Sequence, residues 1–320
     1  MFNVPVRLPA ITEKDKEDIR FGVEQKIDFI AASFVRNAEC ILEIKAYLKE
    51  LHAPYIPIIA KIENAEGIQN IDEIIRCADG IMIARGDLGV EIPPENVPYL
   101  QKLIIQKCND NYRPVITATQ MLDSMIRNPP SYQAEVTDVA NAVYDGTDAV
   151  MLSGETASGK YPLEALQMMV HIVENTEEHL DYDLIMRKAE EQRMKSTSSA
   201  LSHATVTTAN NLGAKCIIAP TASGATARVV SKFKPRTEII GVTPNEEVMR
   251  RMQIYWGVRP LKSIEFTTTE DVCSGAIDLV VAKQIVETGD VVVLTAGIPS
   301  PHFSGQKEGV SNIMRIAVIQ

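Results

Sequence analysis

Five times between residues 29 and 173, a short, mainly apolar run carries polar residues at or just past its end and is followed by a segment with apolar side chains three and four apart. The runs are 29–35, 57–63, 80–84, 114–119 and 149–153. Behind them come Ile41, Ile44 and Leu48; Ile68, Ile71 and Ile75; Val97, Leu100, Leu103 and Ile104; Val136, Val139, Ala140 and Val143; and Leu163, Leu166, Val170 and Val173. Continuous apolar strands alternating with one-sided helices leave few options: a parallel sheet with its faces covered, built from repeated strand-helix units. The polar residues fall at one end of that sheet. Ser33, Lys61 and Glu63, Asp87, Thr119 with Gln120, and Ser153 with Glu155 each follow a strand. That end is where α/β barrels and open α/β sheets carry their chemistry.

Two of these tips hold paired charges. Lys61 and Glu63 are two apart on an extended strand and project to one side of it; the next strand runs into Arg85-Gly86-Asp87. Glu63 and Asp87 on consecutive strands are suited to share a hard divalent cation such as Mg2+, which takes carboxylates, waters and substrate oxygens. Lys61 offers a compact positive charge for a phosphoryl group or an enolate. Backbone N–H groups at Gly86 and Asp87 can hold a carboxylate. Thr119 brings a hydroxyl, with Ser153 or Glu155 as partners in a proton relay. A structural ion pair closing the sheet end explains Lys61 and Glu63 equally well.

The chain changes character after the charged stretch 180–195, which is expected to be a helix end or linker. Helices are expected at 204–212, 225–233, 246–256 and 271–286, and strands at 215–219, 238–243, 291–296 and 313–319, forming a smaller α/β domain. The expected boundary puts residues 1–184 in one domain and 185–320 in the other. Between the strand at 215–219 and the helix behind it lies Thr221-Ala222-Ser223-Gly224-Ala225-Thr226, hydroxyls and N–H groups placed to cradle a phosphate or to make a plain turn. The stretch 297–309 is expected to be a long loop. Ahead of the first strand, Thr12 to Asp15 has a helix-capping pattern.

A formal net charge of −10 argues against a nucleic-acid partner. No apolar run reaches the ~18 residues of a membrane span, and the N-terminus lacks a signal pattern, so a soluble cytoplasmic protein is expected. Cys40, Cys77, Cys108, Cys216 and Cys273 have no C-x-x-C spacing and fit reduced core thiols. His52, His171, His179, His203 and His302 show neither metal nor triad spacing, with His171 and His179 expected near a helix surface. Trp256, expected on a helix over 250–257, reads as packing.

Four blocks carry a resemblance. I-I-A-K-I-E-N-A-E-G-I at 58–68 resembles the active-site signature of the pyruvate kinases. M-I-A-R-G-D-L-G-V-E at 82–91, V-I-T-A-T-Q-M-L-D-S-M at 115–125 and D-G-T-D-A-V-M-L-S-G-E-T at 145–156 resemble that family's later blocks, in order and spacing. The likeness runs from about Leu8 to the end. It implies a (β/α)8 TIM-type barrel, of which about five of the eight strands are present, followed by a C-terminal α/β effector domain. The implied reaction is phosphoryl transfer from phosphoenolpyruvate to ADP, giving ATP and pyruvate. Glu63 and Asp87 would hold Mg2+ or Mn2+, and Lys61 would steady the phosphoryl and enolate charge. Gly86, Asp87 and Thr119 would hold the substrate carboxylate, Ser33 would lie near the phosphate path, and Ser153 and Glu155 would serve proton transfer. Thr221, Ser223, Gly224 and Thr226 would receive the phosphate of a sugar-phosphate or nucleotide effector, and the assembly would be a homotetramer.

Three departures accompany the match. The family's first three strands, its lid domain, its K+ ligands and its phosphate-gripping arginines precede the position matching Met1. The stretch 128–135, N-P-P-S-Y-Q-A-E, lacks the arginines usual before its alanine, in a segment that builds the subunit interface of relatives. The loop at 297–309 departs from the family pattern too. The chain alone is therefore expected to turn over slowly or not at all. A non-catalytic effector-binding or assembly fragment is the alternative, and an aldolase-type lyase also fits a lysine and Mg2+ at a barrel mouth.

Overall fold

The computed structural model describes residues 11–191, 196–265, 268–297 and 311–320. The chain divides into two compact units, Met1–Leu180 and Asp181–Gln320.

The first unit holds five strands, β1 (Ile30–Ala32), β2 (Ile58–Ile62), β3 (Gly80–Ala84), β4 (Val115–Ala118) and β5 (Ala149–Met151), all parallel and in sequence order across the sheet. Its helices are α1 (Glu13–Glu24), α2 (Ala38–Glu50), α3 (Ala65–Gln69), α4 (Ile71–Cys77), α5 (Arg85–Glu91), α6 (Val97–Asp110), α7 (Gln133–Tyr144), α8 (Gly154–Ala157) and α9 (Pro162–Glu178). Every residue of β3 and β4 is buried, as a strand covered on both faces must be. The Thr12 capping pattern is real: Thr12 and Asp15 cap α1 reciprocally.

Strands β3, β4 and β5 end level, and β2 and β1 stop one and three residues short of them. Ala32 pairs with Ala60, Ile62 with Ile83, and Ala84 with Ala118, which pairs with Met151. At the opposite end, aspartates tie neighbours together. Asp79 accepts the Ile58 N–H at 3.0 Å and Asp148 accepts the Val115 N–H at 2.9 Å, so the residue entering one strand closes the start of the strand beside it.

Two helices differ from the sequence pattern. The segment carrying Ile68, Ile71 and Ile75 is broken into α3 and α4 at Asn70, whose side chain donates to the Arg36 carbonyl at 2.9 Å. In α9 the stripe of Leu163, Leu166 and Val170 faces outward, 62%, 50% and 41% exposed, while Ala165, Met169, Ile172 and Thr176 are buried. The helix has two apolar stripes, and the one with smaller side chains packs on Met121, Leu122 and Met125.

The second unit has α10 (Tyr182–Glu191), α11 (Thr197–Leu212), β6 (Cys216–Pro220), α12 (Ala225–Ser231), β7 (Glu238–Thr243), α13 (Glu246–Met252), β8 (Val258–Lys262), α14 (Thr269–Ala282), β9 (Val291–Ala296) and β10 (Ile313–Val318). The strand order is β10-β9-β6-β7-β8, with only β10 antiparallel to its neighbour. Alternate side chains face two cores. Ile217 and Ile239 pack with Val206, Val230 and Met252 from α11, α12 and α13, whereas Cys216, Ile218 and Ile240 pack with Ala276 and Val280 of α14. Burial pushes the Cys216 thiol up to about 12.

Here the pattern reading missed β8. That strand carries Arg259, Pro260 and Lys262 and lies at the sheet edge, where proline and charge are tolerated but obscure the strand signal. Residues 182–191 form a helix rather than a linker, and α11 begins at Thr197 behind its Ser196 cap. Helix α13 ends at Met252, so Trp256 lies beyond it, buried, with the Lys234 ammonium 5.1 Å from its ring centre. His171 and His179 are exposed. The loop expected at 297–309, with His302, lies outside the described residues from 298 onward. No helix among the described residues is long and apolar enough to cross a membrane.

Candidate active site

The C-terminal ends of β1 to β5 lie along one edge of the sheet. At the end of β2, Lys61 and Glu63 meet: Nζ lies 2.6 Å from Glu63 Oε1. Glu63 is 1% exposed and its Oε2 accepts the Phe34 N–H at 2.6 Å, so a buried carboxylate has both a cation and an amide. Phe34 reaches it with φ 53, a left-handed turn directly after Ser33. Lys61 also donates to Ser33 Oγ at 2.9 Å. Three of the expected residues, from two neighbouring strands, thus form one hydrogen-bonded group.

The second group joins the tips of β3 and β4. The Gly86 N–H donates to Thr119 Oγ1 at 2.8 Å, and that hydroxyl donates to the Ala118 carbonyl at 2.6 Å. An N–H expected to meet a substrate carboxylate is therefore held by the hydroxyl expected to assist it. Thr119 and Gln120 have φ of 68 and 55. A β-branched residue in the left-handed region is a true outlier, and such residues cost on the order of 1–3 kcal/mol each unless their surroundings hold them. Asp87 is exposed in the first turn of α5.

The surroundings include Arg85, which the sequence marked only as one of a charged pair. Its side chain is buried. Nη2 donates to the Thr119 carbonyl at 2.8 Å and approaches the Gln120 carbonyl at 3.4 Å, while Nη1 donates to Asp138 Oδ1 at 2.7 Å and Gln101 Oε1 at 3.3 Å. Gln101 donates in turn to Asp145, which also pairs with Lys102. The signal in the sequence was a polar Asp138 set between the apolar Val136 and Val139 of α7, but nothing there identified its partner.

After β5, Ser153 precedes α8. Its N–H donates to Glu155 Oε2 at 2.8 Å, and Glu155 Oε1 accepts the Leu122 N–H at 3.1 Å. Glu155 is 2% exposed, so its carboxylate ties the β5 tip to the segment after β4.

Among the described residues no group of three or more His, Cys, Asp and Glu could hold a metal ion. Glu63 and Asp87 bring two hard carboxylates, Glu63 with both oxygens engaged by Lys61 and the Phe34 N–H, a set that suits a cation completing its shell with water and substrate rather than a closed protein cage.

In the second unit, Gly224 adopts φ 81 and its N–H donates to Thr221 Oγ1 at 3.0 Å, with Ser223 exposed beside it. Thr226 is buried and its hydroxyl accepts from Ser311 Oγ at 3.2 Å. Of the four expected effector residues, Thr221, Ser223 and Gly224 lie in the turn, with Gly224 buried, and Thr226 lies in the first turn of α12 behind it.

A family model described as pyruvate kinase, barrel domain, matches residues 1–166, and one described as pyruvate kinase, alpha/beta domain, matches residues 199–317. The chain is 51% identical over 320 residues to a pyruvate kinase of Geobacillus stearothermophilus, covering 99% of this chain and 54% of that protein. It is 46% identical to the pyruvate kinase of Clostridium acetobutylicum, covering 66% of it, and 48% identical to that of Sporosarcina psychrophila, covering 53%. The chain thus spans between half and two thirds of the length of these relatives.

Proposed function

The chain belongs to the pyruvate kinase family, and from that premise we propose that its first unit supplies one side of a site transferring a phosphoryl group from phosphoenolpyruvate to ADP. The observation that carries this reading is the Lys61–Glu63–Ser33 group at the ends of β1 and β2 beside the Gly86–Thr119 pair at the ends of β3 and β4. Lys61 Nζ, already anchored by Glu63, is a fixed cation where negative charge develops on the phosphoryl and enolate oxygens. The substrate carboxylate takes the Gly86 N–H in place of Thr119 Oγ1 and gains the Asp87 N–H. That frees the Thr119 hydroxyl near the carbon to be protonated. The hydroxyl gives its proton to that carbon and Ser153 relays a replacement proton to Thr119, with Glu155 setting the Ser153 backbone. Glu63 and Asp87 would hold Mg2+ or Mn2+, which when bound neutralises phosphate charge.

A coupled assay for pyruvate, with Mg2+, K+, phosphoenolpyruvate and ADP, tests this on the chain alone and with a polypeptide carrying three further strand-helix units. Turnover is expected in the supplemented sample and should fall by at least about 10²-fold in Lys61→Met. Equal rates for both proteins remove Lys61 from the reaction, and carbon–carbon cleavage without ATP would point to a lyase instead.

The Thr221 to Thr226 turn is proposed as the phosphate seat of a sugar-phosphate or nucleotide effector. Its support is the left-handed Gly224 and the hydroxyls around it. Titration calorimetry should show saturable heat with one of these ligands, weakened in Ser223→Ala; silence across millimolar sugar phosphates and nucleotides ends this reading.

A further inference from the structure

We propose that Arg85 is the positioning residue of this site: its buried guanidinium, oriented by Asp138 and Gln101, holds the Thr119 backbone in its left-handed turn and so sets the Gly86–Thr119 pair that receives the substrate carboxylate. The proposal deepens the phosphotransferase reading and rests on it for the identity of the ligand.

Thr119 has a conformation its side chain disfavours, φ 68, followed by Gln120 at φ 55. Two successive left-handed residues turn both carbonyls toward one donor, and Arg85 Nη2 meets them at 2.8 and 3.4 Å. The same nitrogen lies 3.2 Å from Met121 Sδ. The backbone after Arg85 completes a reciprocal link, because the next residue, Gly86, donates its N–H to the Thr119 hydroxyl. Side chain and backbone of one dipeptide therefore grip opposite ends of one threonine.

The grip needs a fork. A guanidinium presents fixed, coplanar donors, whereas an ammonium is a point charge that cannot hold both oxygens of Asp138 and the Thr119 carbonyl together at these angles. Asp138 Oδ2 lies 2.7 Å from Nη2 and Oδ1 2.7 Å from Nη1, a two-point contact that fixes the plane of the group. Arg85 Nε has no hydrogen-bond partner although it is buried. The group is placed for what its two outer nitrogens do, at the expense of the inner one.

Amide hydrogen exchange followed by NMR on the full 320-residue chain tests the positioning directly. In Arg85→Lys the Gly86 amide should exchange at least tenfold faster, with Met82 and Thr117 inside β3 and β4 unchanged. Asp138→Asn, at a half-exposed position, should act in the same direction. If Arg85→Lys fails to fold, Asp138→Asn decides the matter alone. Unchanged Gly86 protection in the folded variants overturns the proposal. The second measurement is titration of oxalate, a planar dianion resembling the enolate, in the presence of Mg2+. Arg85→Lys should weaken it at least tenfold, while Asp79→Asn at the far end of the sheet should not; equal affinity in Arg85→Lys and the unaltered chain overturns the proposal. If the unaltered chain takes no oxalate even with the polypeptide of three further strand-helix units added, the phosphotransferase reading fails instead, and Gly86 exchange still decides what Arg85 holds.

Discussion

Lys61 and Glu63 are 2.6 Å apart, and Glu63 has almost no contact with solvent. Removing the cation leaves a carboxylate with one amide donor, and breaking a buried pair in this way costs about 3–5 kcal/mol. Lys61 keeps 24% of its side-chain exposure, so Lys61→Met should lose nearer ~2–3 kcal/mol in urea unfolding. Lys61→Met with Glu63→Gln should recover part of that loss. A coupling below about 0.5 kcal/mol in the double-mutant cycle would place the pair with ordinary surface ion pairs. The sequence disclosed this pair because side chains two apart on a strand share a face. Arg85 stayed hidden for the opposite reason: Asp138 lies on a helix one strand later in the fold's order, and no local period connects them. The left-handed turn at Thr119 was equally illegible, since threonine has no preference for it.

The strand-helix rhythm made β1 to β5 readable almost to their ends, because strands buried on both faces leave long apolar runs. Reading failed where an element had two apolar stripes, as in α9, or a mixed one, as in β8. The ties at the start of the strands were not read either, yet they have a measurable effect. Asp79 accepts the Ile58 N–H and lies 3.2 Å from Lys45 Nζ. Asp79→Ala leaves that amide without its acceptor and should cost about 1–2 kcal/mol in urea unfolding, and Asp79→Asn, which keeps an acceptor, less. A change in Asp79→Ala within the ~0.5 kcal/mol of indifferent surface positions would show that solvent replaces the tie.

At the scale of the whole molecule, rhythm disclosed two α/β units, with the charged stretch 180–195 marking the change of pattern between them. Strand order within the second unit was not visible, because β6 pairs with β7 on one side and β9 on the other, a choice made by packing rather than by neighbours in sequence. That difference in order bears on synthesis. In the first unit each strand pairs only with the one made just before it and the one made just after, so the sheet can lengthen in step with a chain leaving the ribosome. In the second, β6 can settle against β7 early but presents a bare backbone edge until β9 has been translated. The two sheets, alike in size and strand count, therefore expose a growing chain to mispairing for very different intervals.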